Sequence, residues 1–200
     1  MSGSDTDLGG AIEIFSGERT IDEVAIELSP RLRLVTSHIL LSKTERDLQD
    51  ALRREDKLKS ALAKYNAPCD IVLIDCPPSR SLLTVNALSA STHVLVPTRP
   101  QITDVKGLII FLDTIEQITD AINPDLEILG VLFNEYDSRL VHHQSVEKQL
   151  SNAMTILKPR ISRSIRIAEA GIHGEAMVDY DPTHPQLDNY RQLAEVLINA

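Results

Sequence analysis

The chain predicts a doubly wound α/β domain with a mostly parallel sheet, and three observations carry that reading. The segment Asp70-Ile-Val-Leu-Ile-Asp-Cys-Pro-Pro-Ser79 holds an apolar run, Ile71 to Ile74 with Cys76, stopped by two prolines. A short run of this kind, rich in β-branched residues, reads as a strand buried on both faces. Residues 93–96 and 127–133 repeat the pattern, and amphipathic helical patterns lie between the runs. Strands alternating with helices make a parallel sheet covered by helices. The predicted strand over 70–76 delivers Asp75 to its C-terminal edge, where open α/β sheets hold their ligands.

The elements follow in order. Residues 1–10 are rich in Gly, Ser and Asp and are expected to be mobile. Residues 17–28 contain a short helix with Thr20 as N-cap and Asp22 and Glu23 in its first turn. Residues 32–35 read as a short strand after Pro30. One amphipathic helix is predicted over 43–65, with Leu48, Ala51, Leu52, Leu58, Ala61 and Leu62 on its buried stripe. After the 70–76 strand come a short helix over 82–90 and a strand over 93–96, ended by Pro97. Val105, Leu108, Ile109, Leu112, Ile115 and Ile118 form the next helical stripe. A third buried strand spans 127–133, a helix 141–154 and a short strand 155–157. A closing helix over 187–198 turns Leu187, Tyr190, Leu193, Ala194 and Leu197 inward. With no internal repeat, low-complexity tract or linker, residues 1–200 read as a single domain.

Composition narrows the function. A net charge of −9 argues against a generally basic nucleic-acid binder, yet leaves room for a local basic patch. With no Trp, three Phe and four Tyr, base stacking on an aromatic platform is disfavoured. Cys69 and Cys76 flank one strand pattern and lie too far apart along it to bridge. Two buried free thiols suit a reducing compartment, so a cytoplasmic location is expected. The polar, acidic start shows no signal peptide, and the apolar runs are too short to span a bilayer. Adjacent His142 and His143 lack the i, i+4 spacing of a metal pair and read as surface or interface residues. Ser79 and Ser81 lack a nucleophile elbow, so a hydrolase triad is unsupported.

Five blocks in order then resemble a known family. They are the 70–79 segment, Leu82-Leu-Thr-Val-Asn-Ala-Leu88, Asn123-Pro-Asp-Leu-Glu-Ile-Leu-Gly-Val131, Tyr136-Asp-Ser-Arg139 and Arg166-Ile-Ala-Glu-Ala170. Together they look like the ParA/Soj partition ATPases, within the MinD-like deviant-Walker P-loop group. Leu34-Val-Thr-Ser-His-Ile-Leu-Leu41 is similar to the segment that such proteins carry after their first crossover. The resemblance runs from about Leu8 onward and implies a P-loop NTPase fold. It also implies Mg-ATP hydrolysis, DNA or plasmid and chromosome partitioning, a homodimer, non-specific DNA binding, a ParB-like partner protein and no membrane.

The resemblance assigns roles to single residues. Asp75 becomes the Walker B acid that holds Mg²⁺ through water, against the plainer reading of a strand-end acid. Pro77, Pro78 and Ser79 begin the loop that senses the γ-phosphate, against that of a rigid strand exit. Asn134 is placed at the adenine edge, where an amide offers donor and acceptor together. A turn-forming Asn is the competing reading. Pro159 and Arg160 fall on the loop bordering adenine. Lys158, Arg160, Arg163 and Arg166 form the dense basic cluster, uninterrupted by an acid until Glu169, and are candidates for DNA phosphate contacts. The plainer reading is a solvated loop paired with acids elsewhere. Arg139 is a weaker addition.

One departure stands out. The 200 residues contain no G-x-x-x-x-G-K-[ST] loop and no Gly-Lys pair. The family opens with a strand, that loop, a helix and a second strand ending in a catalytic Asp. The reading is therefore of a fold whose first strand–P-loop–helix unit is missing, with sheet edges and apolar faces left open. Asp5 and Asp7 follow nothing apolar and do not replace the catalytic Asp. The chain alone is predicted not to hydrolyse ATP. It is either an incomplete sequence of a ParA-type ATPase or a non-catalytic remnant that binds DNA, a ParB-like protein or a full-length ParA. A MinD-like membrane role is disfavoured, because residues 193–200 lack a basic amphipathic tail.

Overall fold

The structure is a computed structural model and describes residues 9–38, 41–77 and 79–200, without the side chains of Ser42 and Lys43. The expectations for residues 1–8, for Ile39 and Leu40, and for Pro78 lie outside the described residues.

The chain divides into two compact units. The described residues up to 92, with 115–126, form one, and residues 93–114 and 127–200 form the other. In the first unit, helix α1 (Ala11–Ser16) and helix α2 (Ile21–Val24) precede strands β1 (Ile26–Ser29) and β2 (Leu32–Leu34). Thr20 does precede the first turn of α2, and the Glu23 carboxylate accepts the Thr20 N–H at 2.7 Å. Strand β2 falls where the sequence puts it, but it pairs antiparallel with β1 in a hairpin. Ile14, Ile21 and Val24 centre a small core that takes in Leu58, Ala61 and Leu62.

Two sequence expectations in this unit need correction. The single helix over 43–65 is broken into α3 (Leu41–Leu48), a 3₁₀ turn at Arg54–Asp56 and α4 (Lys57–Leu62). The helical run ends at Leu48, Arg53 takes a left-handed conformation (φ 52°) at the entry to the 3₁₀ turn, and Leu52 is 90% exposed instead of buried. The strand over 70–76 does not form either. Ile71, Val72 and Leu73 are 44%, 50% and 77% exposed, and among the described residues no strand pairs with them. A buried strand needs ladder partners on its flanks, and β-propensity does not supply them. Cys69 is exposed and Cys76 half-buried, so the expectation of two buried thiols fails with the strand. Helix α5 (Leu82–Ala90) closes this stretch, with the Ser81 Oγ accepting the Thr84 N–H at 3.3 Å.

Strand β3 (His93–Thr98), helix α6 (Ile102–Ala121) and strand β4 (Glu127–Phe133) follow in sequence. Strands β3 and β4 pair in parallel, as the alternating pattern requires, with Pro97 opposite Leu132. Pro97 therefore does not end its strand: it is exposed, and β3 has one described neighbour, which leaves a side free for the missing N–H. Within the α6 stripe Leu108, Ile115 and Ile118 are buried, while Ile109 is exposed. Residues 155–157 contribute a single parallel bridge, Val131 to Ile156. Gly130 permits this approach. A Cβ there would stand 2.7 Å from the Thr155 carbonyl oxygen, and its φ of +142° suits glycine.

Helices α7 (Val141–Leu150), α8 (Ile165–His173), α9 (Met177–Tyr180) and α10 (Gln186–Ile198) complete the chain. Leu132, Ile161 and Leu193 pack together beside Leu95. On α10, Leu187 and Leu193 face inward as expected, whereas Tyr190 and Ala194 are exposed. Among the described residues no helix is long and apolar enough to cross a membrane.

Candidate functional site

The turn leaving β4 carries the predicted base-edge residue. The Asn134 N–H donates to the Thr98 carbonyl at 2.8 Å, which holds the turn to the end of β3. Glu135 is left-handed (φ 53°), and its N–H donates to the Asn134 Oδ1 at 2.9 Å. The turn-forming role weighed for Asn134 is thus present. It also fixes the amide, leaving Nδ2 as a donor with no partner among the described residues.

The segment after the cis Lys158–Pro159 bond lies against this turn. Ile161 N–H donates to the Phe133 carbonyl at 2.9 Å, and Tyr136 N–H donates to the Ile161 carbonyl at 2.9 Å. Side chains reinforce the backbone. The Tyr136 hydroxyl donates to Glu147 Oε2 at 2.6 Å, and the Arg160 guanidinium pairs with Glu147 Oε1. Arg160 also lies over the Tyr136 ring, 5.1 Å from its centroid. Its Nε is buried with no partner among the described residues. These bonds hold the 133–136 turn beside Ile161, with Arg160 joined to Tyr136 through Glu147.

Asp137 and Arg139 form a two-point ion pair at 2.7 and 3.0 Å. Those hydrogen bonds hold the Asp137 carboxyl well below the usual carboxylate range. His143 departs from the surface reading: it is 6% exposed, and its Nδ1 accepts the Asp137 N–H at 3.0 Å. Its ring meets that of His142 edge-on at 4.4 Å, so adjacent side chains do not diverge here. Between the turn and the 162–165 segment lies an open cleft of about 570 Å³, with Ser138, Arg139, Ser162, Arg163 and Ile165 on its walls.

The basic cluster is divided. Arg160 is spent on Glu147, and Arg166 binds Glu169 at 3.1 Å and Asp181 at 3.3 Å while covering Tyr180. Lys158 and Arg163 are exposed and make no hydrogen bond or ion pair among the described residues. Sequence reasoning missed Glu147 and Tyr136 as the organisers of this edge. Glu147 stands mid-helix among polar residues, with nothing in its spacing to separate it from a solvated acid.

Asp75 lies in the first unit. It is exposed, as are Ile71, Val72 and Leu73 before it. Burial first, and the Asp75 charge second, push the Cys76 thiol up from its ordinary value. Among the described residues no three His, Cys, Asp or Glu side chains gather to hold a metal. Asp75 is a single exposed carboxylate, and Asn134 carries a side-chain donor without a partner among the described residues.

Comparisons with known proteins decide the family. Residues 7–128 match the family described as an AAA domain, AAA_31. The chain is 33% identical over 177 residues to the sporulation initiation inhibitor protein Soj of Bacillus subtilis, covering 88% of this chain and 70% of Soj. It is 32% identical over 192 residues to the chromosome partitioning protein ParA of Caulobacter vibrioides, covering 94% and 72%. The chain belongs to the ParA/Soj-type P-loop ATPases. Its fold superposes on a solved structure titled cobyrinic acid a,c-diamide synthase of Mycobacterium smegmatis. There the TM-score is 0.82 at 29% identity, with 98% of this chain and 74% of that one covered. That protein has also been solved with an ATP analogue and magnesium. The α/β fold is thus of the ParA/MinD type. Against a Mycobacterium tuberculosis relative of 34% identity, the chain spans 58% of the other's length.

Proposed function

We propose that this ParA-family partition protein works in ATP-dependent DNA segregation in the cytoplasm, as a dimer with a ParB-like partner. In this reading the second unit supplies the base side of the nucleotide site, with Asn134, Pro159 and Arg160 around the adenine. Asp75 serves Mg²⁺ opposite a phosphate-binding loop.

The observation that carries the DNA part is the division of the basic cluster. Lys158 and Arg163 flank the Pro159–Arg160 segment, exposed and without acidic partners among the described residues. Two unpaired cations on one edge are suited to phosphates, which need charge and reach and no base reading. Arg160 and Arg166, already paired, contribute little. The test is the salt dependence of binding to duplex DNA of arbitrary sequence. Lys158→Ala and Arg163→Ala should each lower the slope of log affinity against log salt by about one. Arg166→Ala should leave it unchanged. Equal slopes in all variants would sink the assignment.

A further inference from the structure

Glu147 sits on α7, half-buried, and joins two segments far apart in sequence. One carboxylate oxygen takes the Tyr136 hydroxyl at 2.6 Å, and the other takes the Arg160 guanidinium. Arg160 lies over the Tyr136 ring, so the three side chains close into one unit. Its two legs end on the turn 134–139 and on the 158–161 segment. Asn189 adds a tie from α10, its Nδ2 donating to the Arg160 carbonyl at 3.3 Å.

We propose that Glu147 is a positioning residue for the purine edge: it holds Tyr136 and Arg160 together so that the Asn134 amide and the Pro159–Arg160 segment form one preset wall. This rests on the base-side reading given above. Three features support the role. The Asn134 amide is fixed, with Oδ1 held by the Glu135 N–H and Nδ2 free to donate. A fixed donor selects a base only if the facing wall does not move. Backbone bonds at Ile161 set the register of the two segments, and the Glu147 clamp sets the side chains above it. Charge-assisted contacts of this kind are the stronger class of hydrogen bond. Arg160 is thereby turned from a free surface cation into part of the wall.

The test uses the full chain, labelled with ¹⁵N, and titrates adenosine and guanosine, which carry no phosphate and so report no general charge attraction. Wild type should show saturable shifts at the Asn134 side-chain amide and the Arg160 Nε–H with adenosine. Glu147→Gln keeps the shape and an acceptor but loses the charge, and should weaken adenosine binding about fivefold to tenfold. Tyr136→Phe, which removes one leg, should fall between. The β4 amide signals should stay as in wild type; if Glu147→Gln disturbs them, Tyr136→Phe decides. Unchanged adenosine binding in the variants would overturn the role of Glu147 and leave the base-side reading standing. No adenosine response in wild type would overturn that reading and this role with it.

Discussion

Leu58 and Asn86 are joined across 28 residues: the Leu58 N–H donates to Asn86 Oδ1 at 3.1 Å. The same side chain donates through Nδ2 to the carbonyls of Arg54 at 2.7 Å and Leu82 at 2.9 Å. Asn86 is fully buried, so one amide satisfies the start of α4, the 3₁₀ turn and its own helix. Replacing it with Ala strands buried backbone groups. Asn86→Ala should cost about 2–3 kcal/mol of stability, read as a lower midpoint in urea unfolding at unchanged slope. A change below the error of the measurement would show that water replaces the amide.

Gly130 sets a second prediction. Alanine there meets the Thr155 carbonyl oxygen at 2.7 Å and adopts a φ of +142°. Gly130→Ala should cost about 1–3 kcal/mol. It should also loosen two specific bonds, Val131 N–H to Thr155 and Leu157 N–H to Val131, now at 2.9 and 2.8 Å. Amide exchange at Val131 and Leu157 would rise well before exchange elsewhere in β4.

Asp137 gives a pH dependence whose sign follows from its lowered value. The Arg139 hydrogen bonds favour the charged carboxylate in the folded chain. The unfolded group titrates near its ordinary value of about 3.9. Its stabilising contribution is therefore fully present above that value and is lost as pH falls through the lower folded one. The stability difference between wild type and Asp137→Asn should be present above pH 5 and shrink below pH 4. Exposure and salt screen the pair, so the difference should also fall as ionic strength rises.

The open apolar run offers a fourth prediction. Leu73 is 77% exposed, and a lysine there loses no core contact. Leu73→Lys should change unfolding stability by no more than about 0.5 kcal/mol. Light scattering on wild type and variant should show less self-association in the variant. A large loss of stability instead would mean that Leu73 is buried in solution.

Much of this fold was readable from pattern alone. Strand β4 has the predicted bounds, and α5 and α6 lie where their apolar spacing places them. These elements find their partners within the chain: β4 has β3 on one side and the Ile156 bridge on the other. The 70–76 run has the strongest strand signal in the sequence yet stays exposed, because pairing is a property of neighbours and not of a segment. The helix predicted over 43–65 stops at Leu48, and no periodicity announces the left-handed Arg53 that leads into the 3₁₀ turn.

The site was legible in part. Asn134, Pro159 and Arg160 were singled out by motif. Their organiser was not, since a lone Glu on a helix carries no sign of the two partners it will meet. The basic cluster reads as four cations in sequence, but Arg160 pairs with Glu147, 13 residues before it, and Arg166 pairs with Asp181, 15 residues after it, as well as with the nearby Glu169.

The half-buried Cys76 and the exposed Cys69 bracket the open apolar run. With its thiol pushed up by burial and by Asp75, Cys76 offers little thiolate at neutral pH. A maleimide or iodoacetamide reagent will therefore modify Cys69 first and Cys76 slowly. The native chain thus carries a two-speed chemical clock across this segment: anything that covers residues 69–73 will slow the first reaction, and anything that uncovers Cys76 will quicken the second.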